Sequence, residues 1–128
     1  MIIYFENQIS KKKQDIVMNA INLACKELLP RIRNLNISII TSRNLFKKYG
    51  VCGDCMWEDG RDFTIRLDNS INIDELVTTI LHEMVHVKQY VRNEYFNYDL
   101  PYNERPHEIE AHTLEKSLKG KYDAIYTK

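Results

Sequence analysis

The sequence predicts an α+β protein that forms one domain over residues 1–128. Of its 128 residues, 44% are hydrophobic and 28% charged, which is typical of a folded chain with one core. Helix-like and strand-like hydrophobic spacings follow one another along it, without an internal repeat or a Gly/Ser-rich linker. We expect an N-terminal helix, a small, mostly antiparallel sheet of three or four strands with a hairpin at its edge, and two later helices.

The first half of the chain supplies two strands and the first helix. Ile2–Phe5 is apolar and short, which suits a strand. Ser10 is a capping residue type, and apolar residues follow it at helical spacing as far as Leu28. The β-branched segment Leu35–Thr41 predicts a second strand. The glycine-containing residues 42–55 then predict a loop.

The hairpin and the longest helix follow this loop. Met56–Asp68 has alternating apolar and polar residues in its second half and contains Asp59-Gly60, a dipeptide preferred in two-residue turns. Asn72 and Glu75 have the spacing of a capping box. A helix is therefore expected from about Ile73 to Arg92.

The last helix is marked at both ends. After the aromatic-rich segment 94–105, which predicts an ordered loop, Pro106 suits a first helical turn because its missing N–H costs nothing there. Lys116 and Lys119 suit a final turn, and Gly120 suits a left-handed cap. We expect this helix to end at the glycine.

A His-Glu-x-x-His motif lies within the long helix, at His82, Glu83 and His86. Residues four apart on a helix differ by about 40° and about 6 Å of rise, so both imidazoles can reach one ion. Zinc favours such nitrogen ligands, and Glu83 can take a proton from a zinc-bound water. Apolar residues fill the other half of the helix, so we expect the histidines on a face that a cleft exposes. Two surface histidines on an amphipathic helix are the alternative.

A third ligand is available because all four histidines lie between positions 82 and 112, close in sequence to acidic residues. A catalytic zinc site uses three protein ligands and leaves the fourth position to water. The candidates for the third ligand are Glu108, Glu110, His107 and His112. Helical spacing does not choose among them, and the glutamates would equally suit a solvated first turn.

The HEMVH segment and the later Glu108-x-x-Ala111 resemble the gluzincin type of zinc metallopeptidase. The closest likenesses are minimal single-domain forms, namely the ImmA/IrrE-like peptidases and the small SprT-like or phage-encoded zincins. The resemblance covers about residues 56–119. It implies a zincin-like fold and one Zn²⁺ ion held by His82, His86 and Glu108, with Glu83 as general base in the hydrolysis of a polypeptide.

The resemblance also implies a strand that binds substrate, and this chain differs from many gluzincins at one position, His112. Phe63–Asp68, and within it Phe63, Thr64, Ile65 and Arg66, resembles the edge strand against which a substrate lies extended. Many gluzincins have an aspartate that supports a ligand histidine where this chain has His112, which would then be a supporting residue or a ligand.

A proton donor to the developing oxyanion is a further requirement of such a reaction. Tyr90, Tyr102, His107 and His112 are candidates for this role. Each of them also has ordinary side-chain packing as an alternative role.

Charge and cysteine content restrict the remaining functions. Net charge is zero, but residues 1–50 carry nine Lys/Arg against three Asp/Glu, so a nucleic-acid partner is a lesser expectation for this part. Three cysteines are too few and odd in number for a disulfide framework, and Cys52 and Cys55 form only half of a zinc-binding pair. Because the sequence has no signal-like start and no membrane span, we expect a cytoplasmic protein. A metal-binding regulatory module without turnover is the alternative function.

Overall fold

The computed structural model describes residues 1–127 and confirms the α+β class. Among these residues, no helix combines the length and the apolar character that crossing a membrane requires. The elements in chain order are β1 (Ile2–Phe5), α1 (Lys11–Leu28), β2 (Asn36–Ser42), α2 (Leu45–Tyr49), β3 (Gly53–Asp59), β4 (Asp62–Asp68), α3 (Ile73–Val91), a 3₁₀ turn (Tyr102–Glu104) and α4 (Pro106–Tyr126).

The four strands form one mixed sheet in the order β1-β2-β4-β3. The expected antiparallel character is wrong for most of it, because β2 runs parallel to both β1 and β4 and only β3 and β4 are antiparallel. Alternating apolar residues look the same in either orientation, whereas strand direction depends on the connections. Here α1 returns the chain across the sheet, which makes β2 parallel to β1.

One face of the sheet packs against the helices. Phe63, Ile65 and Leu67 of β4 are buried on this face, as their alternation predicts, together with Ile37 and Ile39 of β2. These side chains share one core with the apolar residues of α1 and α3. The core therefore holds α3 against the sheet, and α4 packs against α3.

The N-terminal cap of α3 agrees with the sequence. The Asn72 Oδ1 atom accepts a hydrogen bond from the Glu75 backbone N–H at 2.8 Å. His82 and His86 are each only 9% exposed, so they do not lie on an open surface, and both line a cavity, which agrees with the expected cleft. α4 packs against α3, and its Glu108 and Glu115 contact His82.

Two segments between β2 and the end of β4 differ from expectation. Residues 42–55 include α2, which is fixed by a hydrogen bond from the Phe46 backbone N–H to Asp68 Oδ2 at 2.8 Å, and they also include the start of β3. The hairpin turn is Gly60-Arg61, one residue later than expected, because a register shift between Trp57 and Asp59 lengthens β3.

The end of α4 is also later than expected, since the helix continues through Gly120 to Tyr126. Tyr122 is buried in the core, and Lys119 contacts Asp123 at 2.8 Å and Asp74 at 2.6 Å. A glycine inside a helix costs roughly 1 kcal/mol relative to alanine. Burial of an aromatic side chain beyond it outweighs this cost.

Candidate metal centre

Three side chains from two helices converge beside the sheet. His82 and His86 project from α3, and Glu108 projects from the first turn of α4, which packs on α3. The His82 and His86 Nε2 atoms are 3.2 Å apart, and they lie 3.1 and 3.2 Å from Glu108 Oε1. The three atoms form a nearly equilateral triangle.

The triangle has the dimensions of three ligands on a tetrahedral zinc ion. Zn–N and Zn–O bonds of about 2.0–2.1 Å place tetrahedral ligand atoms about 3.3–3.4 Å apart. The observed separations of 3.1–3.2 Å are close to that value. Two imidazoles and one carboxylate are also a donor set that zinc uses in catalytic sites. The residues therefore fit a zinc ion, with one coordination position left over.

Each histidine is oriented by a partner on its other ring nitrogen. His82 Nδ1–H donates to Glu115 Oε1 at 2.8 Å, and His86 Nδ1–H donates to Gln89 Oε1 at 2.7 Å. With each Nδ1 engaged in this way, Nε2 is the ring nitrogen that would bind a metal after losing its own proton. Sequence reasoning missed both supporting residues, although Gln89 lies on the same helical face as the histidines and Glu115 lies two turns after Glu108.

Gln89 of α3 connects this helix to α4. It is fully buried, and its Nε2 donates to the His107 carbonyl oxygen at 2.8 Å and to Glu110 Oε1 at 2.9 Å. Lys88 contacts the same Glu110 oxygen at 3.0 Å. Glu110, a candidate ligand, is therefore engaged by Lys88 and Gln89 and not by the two motif histidines.

His112 lies at the margin of the centre. Its Nε2 is 3.0 Å from the Tyr102 hydroxyl, and its Nδ1 is 3.2 Å from Glu115 Oε1. His82, Glu108 and His112 form a second group that could hold a metal, with ligand atoms all within 4.8 Å of one another. Since the triangle that contains His86 is tighter, His112 is better placed as a neighbour of the ligands than as one of them.

Burial and charge shift the pKa values of the central groups. The pKa of Glu108 is well below its usual range, because hydrogen bonds from His82 and His86 outweigh the opposing effect of burial. The pKa of His82 is raised despite burial, through its contacts with Glu108 and Glu115. Binding of a metal at this histidine would therefore be coupled to release of a proton.

Glu83 lies beside the triangle and is only 6% exposed. Burial raises its pKa to about 7, against the opposing charges of His82 and His86. It lines two cavities that meet at the centre, of about 530 and 220 Å³. The carboxyl group is thus positioned to exchange a proton with a molecule bound in either cavity.

The four candidate oxyanion donors lie at different distances from the triangle. The Tyr102 hydroxyl donates to Glu108 Oε1 at 3.1 Å, which makes it an immediate neighbour of a ligand atom. The Tyr90 ring packs 4.5 Å from that of Phe96. His107 stacks on Phe96 at 4.7 Å and is buried, with neither ring nitrogen hydrogen-bonded within residues 1–127. Its Nε2 is 3.8 Å from Glu108 Oε2.

The expectation that Phe63–Asp68 is the edge strand is wrong, because the edge strand is its neighbour β3. Phe63, Thr64, Ile65 and Arg66 belong to β4, which pairs with β2 on one side and β3 on the other. Since both of its edges are paired, β4 cannot accept a further strand, and β3 is the free edge on this side of the sheet. The order of strands depends on long-range pairing that hydrophobic alternation does not encode.

The two cysteines of the loop region border the cavities as free thiols. Cys52 lines the larger cavity and Cys55 the smaller one. Burial, together with the charge of Glu83, holds the pKa of Cys55 well above its ordinary value. The Cys55 thiol is therefore protonated and a poor nucleophile at neutral pH.

Comparison of the chain with protein-family models, with curated proteins and with solved structures gives no match.

Proposed function

We propose that this protein is a zinc-dependent peptidase with a zincin-like fold, as its motifs suggest by resemblance. The observation that carries the proposal is the triangle formed by His82, His86 and Glu108, with edges of 3.1–3.2 Å and the carboxyl group of Glu83 beside it. A purely structural metal site has no need of a buried proton acceptor next to its ligands. Glu83 therefore favours a hydrolase over a metal-binding module.

In this proposal the ligands hold one Zn²⁺ ion, which when bound acidifies a water molecule and polarises the scissile carbonyl group. Glu83 accepts the proton from the attacking water and delivers it to the nitrogen of the leaving amine. Gln89 and Glu115 keep the histidine rings in their metal-binding tautomers. The Tyr102 hydroxyl is the hydrogen-bond donor nearest to the ligands, and we assign it to the developing oxyanion.

The test compares zinc content and peptide cleavage in the wild type, Glu83→Gln and His86→Ala. We expect Glu83→Gln to retain zinc and lose cleavage by at least about 100-fold, as for loss of general-base catalysis. His86→Ala should lose both zinc and cleavage. A wild type that binds no zinc would overturn the proposal, and one that binds zinc but cleaves no peptide would favour the regulatory module.

A matched pair of variants tests the third ligand. Glu108→Ala should weaken zinc binding far more than Glu110→Ala, because only Glu108 contacts both histidines. His112→Ala should have an intermediate effect, through Glu115. Release of zinc by His112→Ala alone, with Glu108→Ala unaffected, would show that the ligand assignment is wrong.

A further inference from the structure

A cavity of about 530 Å³ adjoins the candidate metal centre between α2 and the first half of α3, and we call it the α2 pocket. His82 and Glu83 form its inner end. Its other walls include Phe46, Val51, Cys52, Thr78, Thr79 and Tyr102. These residues offer mainly apolar surface, in contrast to the charged groups at the centre itself.

Apart from Glu83, the proposed general base at its inner end, the pocket contains no unpaired carboxylate and no lysine or arginine among the described residues. Its second carboxylate, Glu115, is engaged by His82 and His112. An acidic side chain or a terminal carboxylate would be desolvated there without a counter-charge. A basic side chain would either pair with Glu83, which the proposed reaction needs as its base, or compete for Glu115 with the two histidines.

The cavity of about 220 Å³ that also reaches the centre is likewise lined by no lysine or arginine of the described residues. Tyr90, Phe96 and Tyr98 are among its walls, and its Asp54 is paired with Arg66 of β4. Neither cavity therefore provides a basic side chain for the carboxylate end of a peptide. A polypeptide substrate can instead extend through both cavities, as an internal segment of its chain would.

The walls of the α2 pocket are held in place. The Phe46 backbone N–H donates to Asp68 Oδ2 at 2.8 Å, which attaches α2 to the end of β4. At Gly53 a Cβ atom would lie 2.6 Å from Thr79 Cγ2 and 2.7 Å from the Arg66 carbonyl oxygen, so only glycine permits this contact of β3 with α3. These contacts hold the backbone of α2 and β3 in position beside α3, which favours selection by size.

We infer that the α2 pocket binds a large, uncharged apolar side chain of an internal residue next to the cleaved bond. The substrate class is accordingly a polypeptide cut within the chain, and specificity depends on α2 and on Thr78. This inference rests on the proposed function, since the pocket matters to cleavage only if the adjacent centre hydrolyses peptides.

The test uses zinc-loaded Glu83→Gln and peptides blocked at both ends that differ at one position, with Leu, Phe, Ala, Lys or Asp. Binding is measured by fluorescence anisotropy, so the readout does not need turnover. The Leu and Phe peptides should bind at least about tenfold more tightly than the Lys and Asp peptides. Thr78→Trp, added to Glu83→Gln, should fill the pocket and transfer the preference to Ala.

Two further variants make the result specific. Met18→Trp places the same side chain on α1 at a position that is 37% exposed and outside the pocket, and it should change nothing. Phe46→Ala enlarges the pocket and should weaken binding of the Leu and Phe peptides about tenfold, which provides a second test if Thr78→Trp does not fold.

The outcomes separate the two ideas. Apolar selectivity in binding, without cleavage by the wild type, would leave the pocket assignment standing and overturn the peptidase. The pocket assignment alone would be overturned if cleavage depends on Glu83 but shows no apolar selectivity. It would also be overturned if the selectivity is unchanged by Thr78→Trp and Phe46→Ala. Cleavage that requires a free chain end would also overturn the inference of internal cutting.

Discussion

Gln89 is the residue whose replacement most sharply tests the structure of the centre. It is fully buried and makes three hydrogen bonds, accepting from His86 Nδ1–H at 2.7 Å and donating to the His107 carbonyl at 2.8 Å and to Glu110 at 2.9 Å. Gln89→Leu keeps a side chain of similar size and removes all three. The His86 N–H and the His107 carbonyl are then left buried without their partner.

The magnitude follows from these two groups. Each buried donor or acceptor that loses its partner costs about 1–3 kcal/mol, so for two groups we expect the free energy of unfolding to fall by about 2–6 kcal/mol. Glu110 keeps its contact with Lys88 and should add little. Zinc affinity should fall about 10–100-fold, because the His86 ring loses the hydrogen bond that orients it.

Urea denaturation in the presence of a chelator measures the stability change, and competition with a zinc indicator measures the affinity. Gln14→Leu is a matched control, since Gln14 makes a single, partly buried bond to the Ile9 carbonyl at 3.1 Å and should cost no more than about 1 kcal/mol. Gln89→Glu retains the acceptor for His86 and should recover zinc affinity without recovering stability. If Gln89→Leu changes neither stability nor zinc affinity beyond Gln14→Leu, the assigned support of His86 is wrong.

Two further predictions concern stability. Asp68→Asn replaces a buried carboxylate that accepts bonds from the Phe46 and Ser70 backbone N–H groups at 2.8 Å, and these bonds lower its pKa against the effect of burial. The carboxylate of Asp68 stabilises the fold above the unfolded-state pKa of about 3.9, and this contribution is lost as pH falls toward the lower folded-state pKa. In urea denaturation, the free energy of unfolding of Asp68→Asn should therefore be about 1–3 kcal/mol below that of the wild type at pH 7, and the difference should shrink near pH 3. An equal deficit at both pH values would contradict this reasoning. His107→Phe removes two buried nitrogens that have no partner within residues 1–127 and keeps the stack on Phe96, so the metal-free protein should gain about 1 kcal/mol; a comparable loss would mean that the imidazole is hydrogen-bonded in solution.

Elements with local signals could be predicted closely from the sequence. The expected bounds of α1 and α3 agree with the structure to within about a residue, because Ser10 and Asn72 cap their own helices through backbone groups three residues away. The end of α4 could not be predicted in this way. The stop expected at Gly120 is overridden by burial of Tyr122, which depends on helices far away in sequence.

The sequence by itself determined that two imidazoles four residues apart lie on one side of a helix, because helical periodicity is a local property. It also restricted the third ligand to a few side chains near position 108. Only the tertiary structure decided which of these meets the histidines, since the packing of α4 on α3 places Glu108 within 3.2 Å of both and turns Glu110 toward Lys88. The same packing buries His82 and His86, and long-range strand pairing places β3 at the free edge. Such contacts join residues far apart in the chain, and no local pattern encodes them.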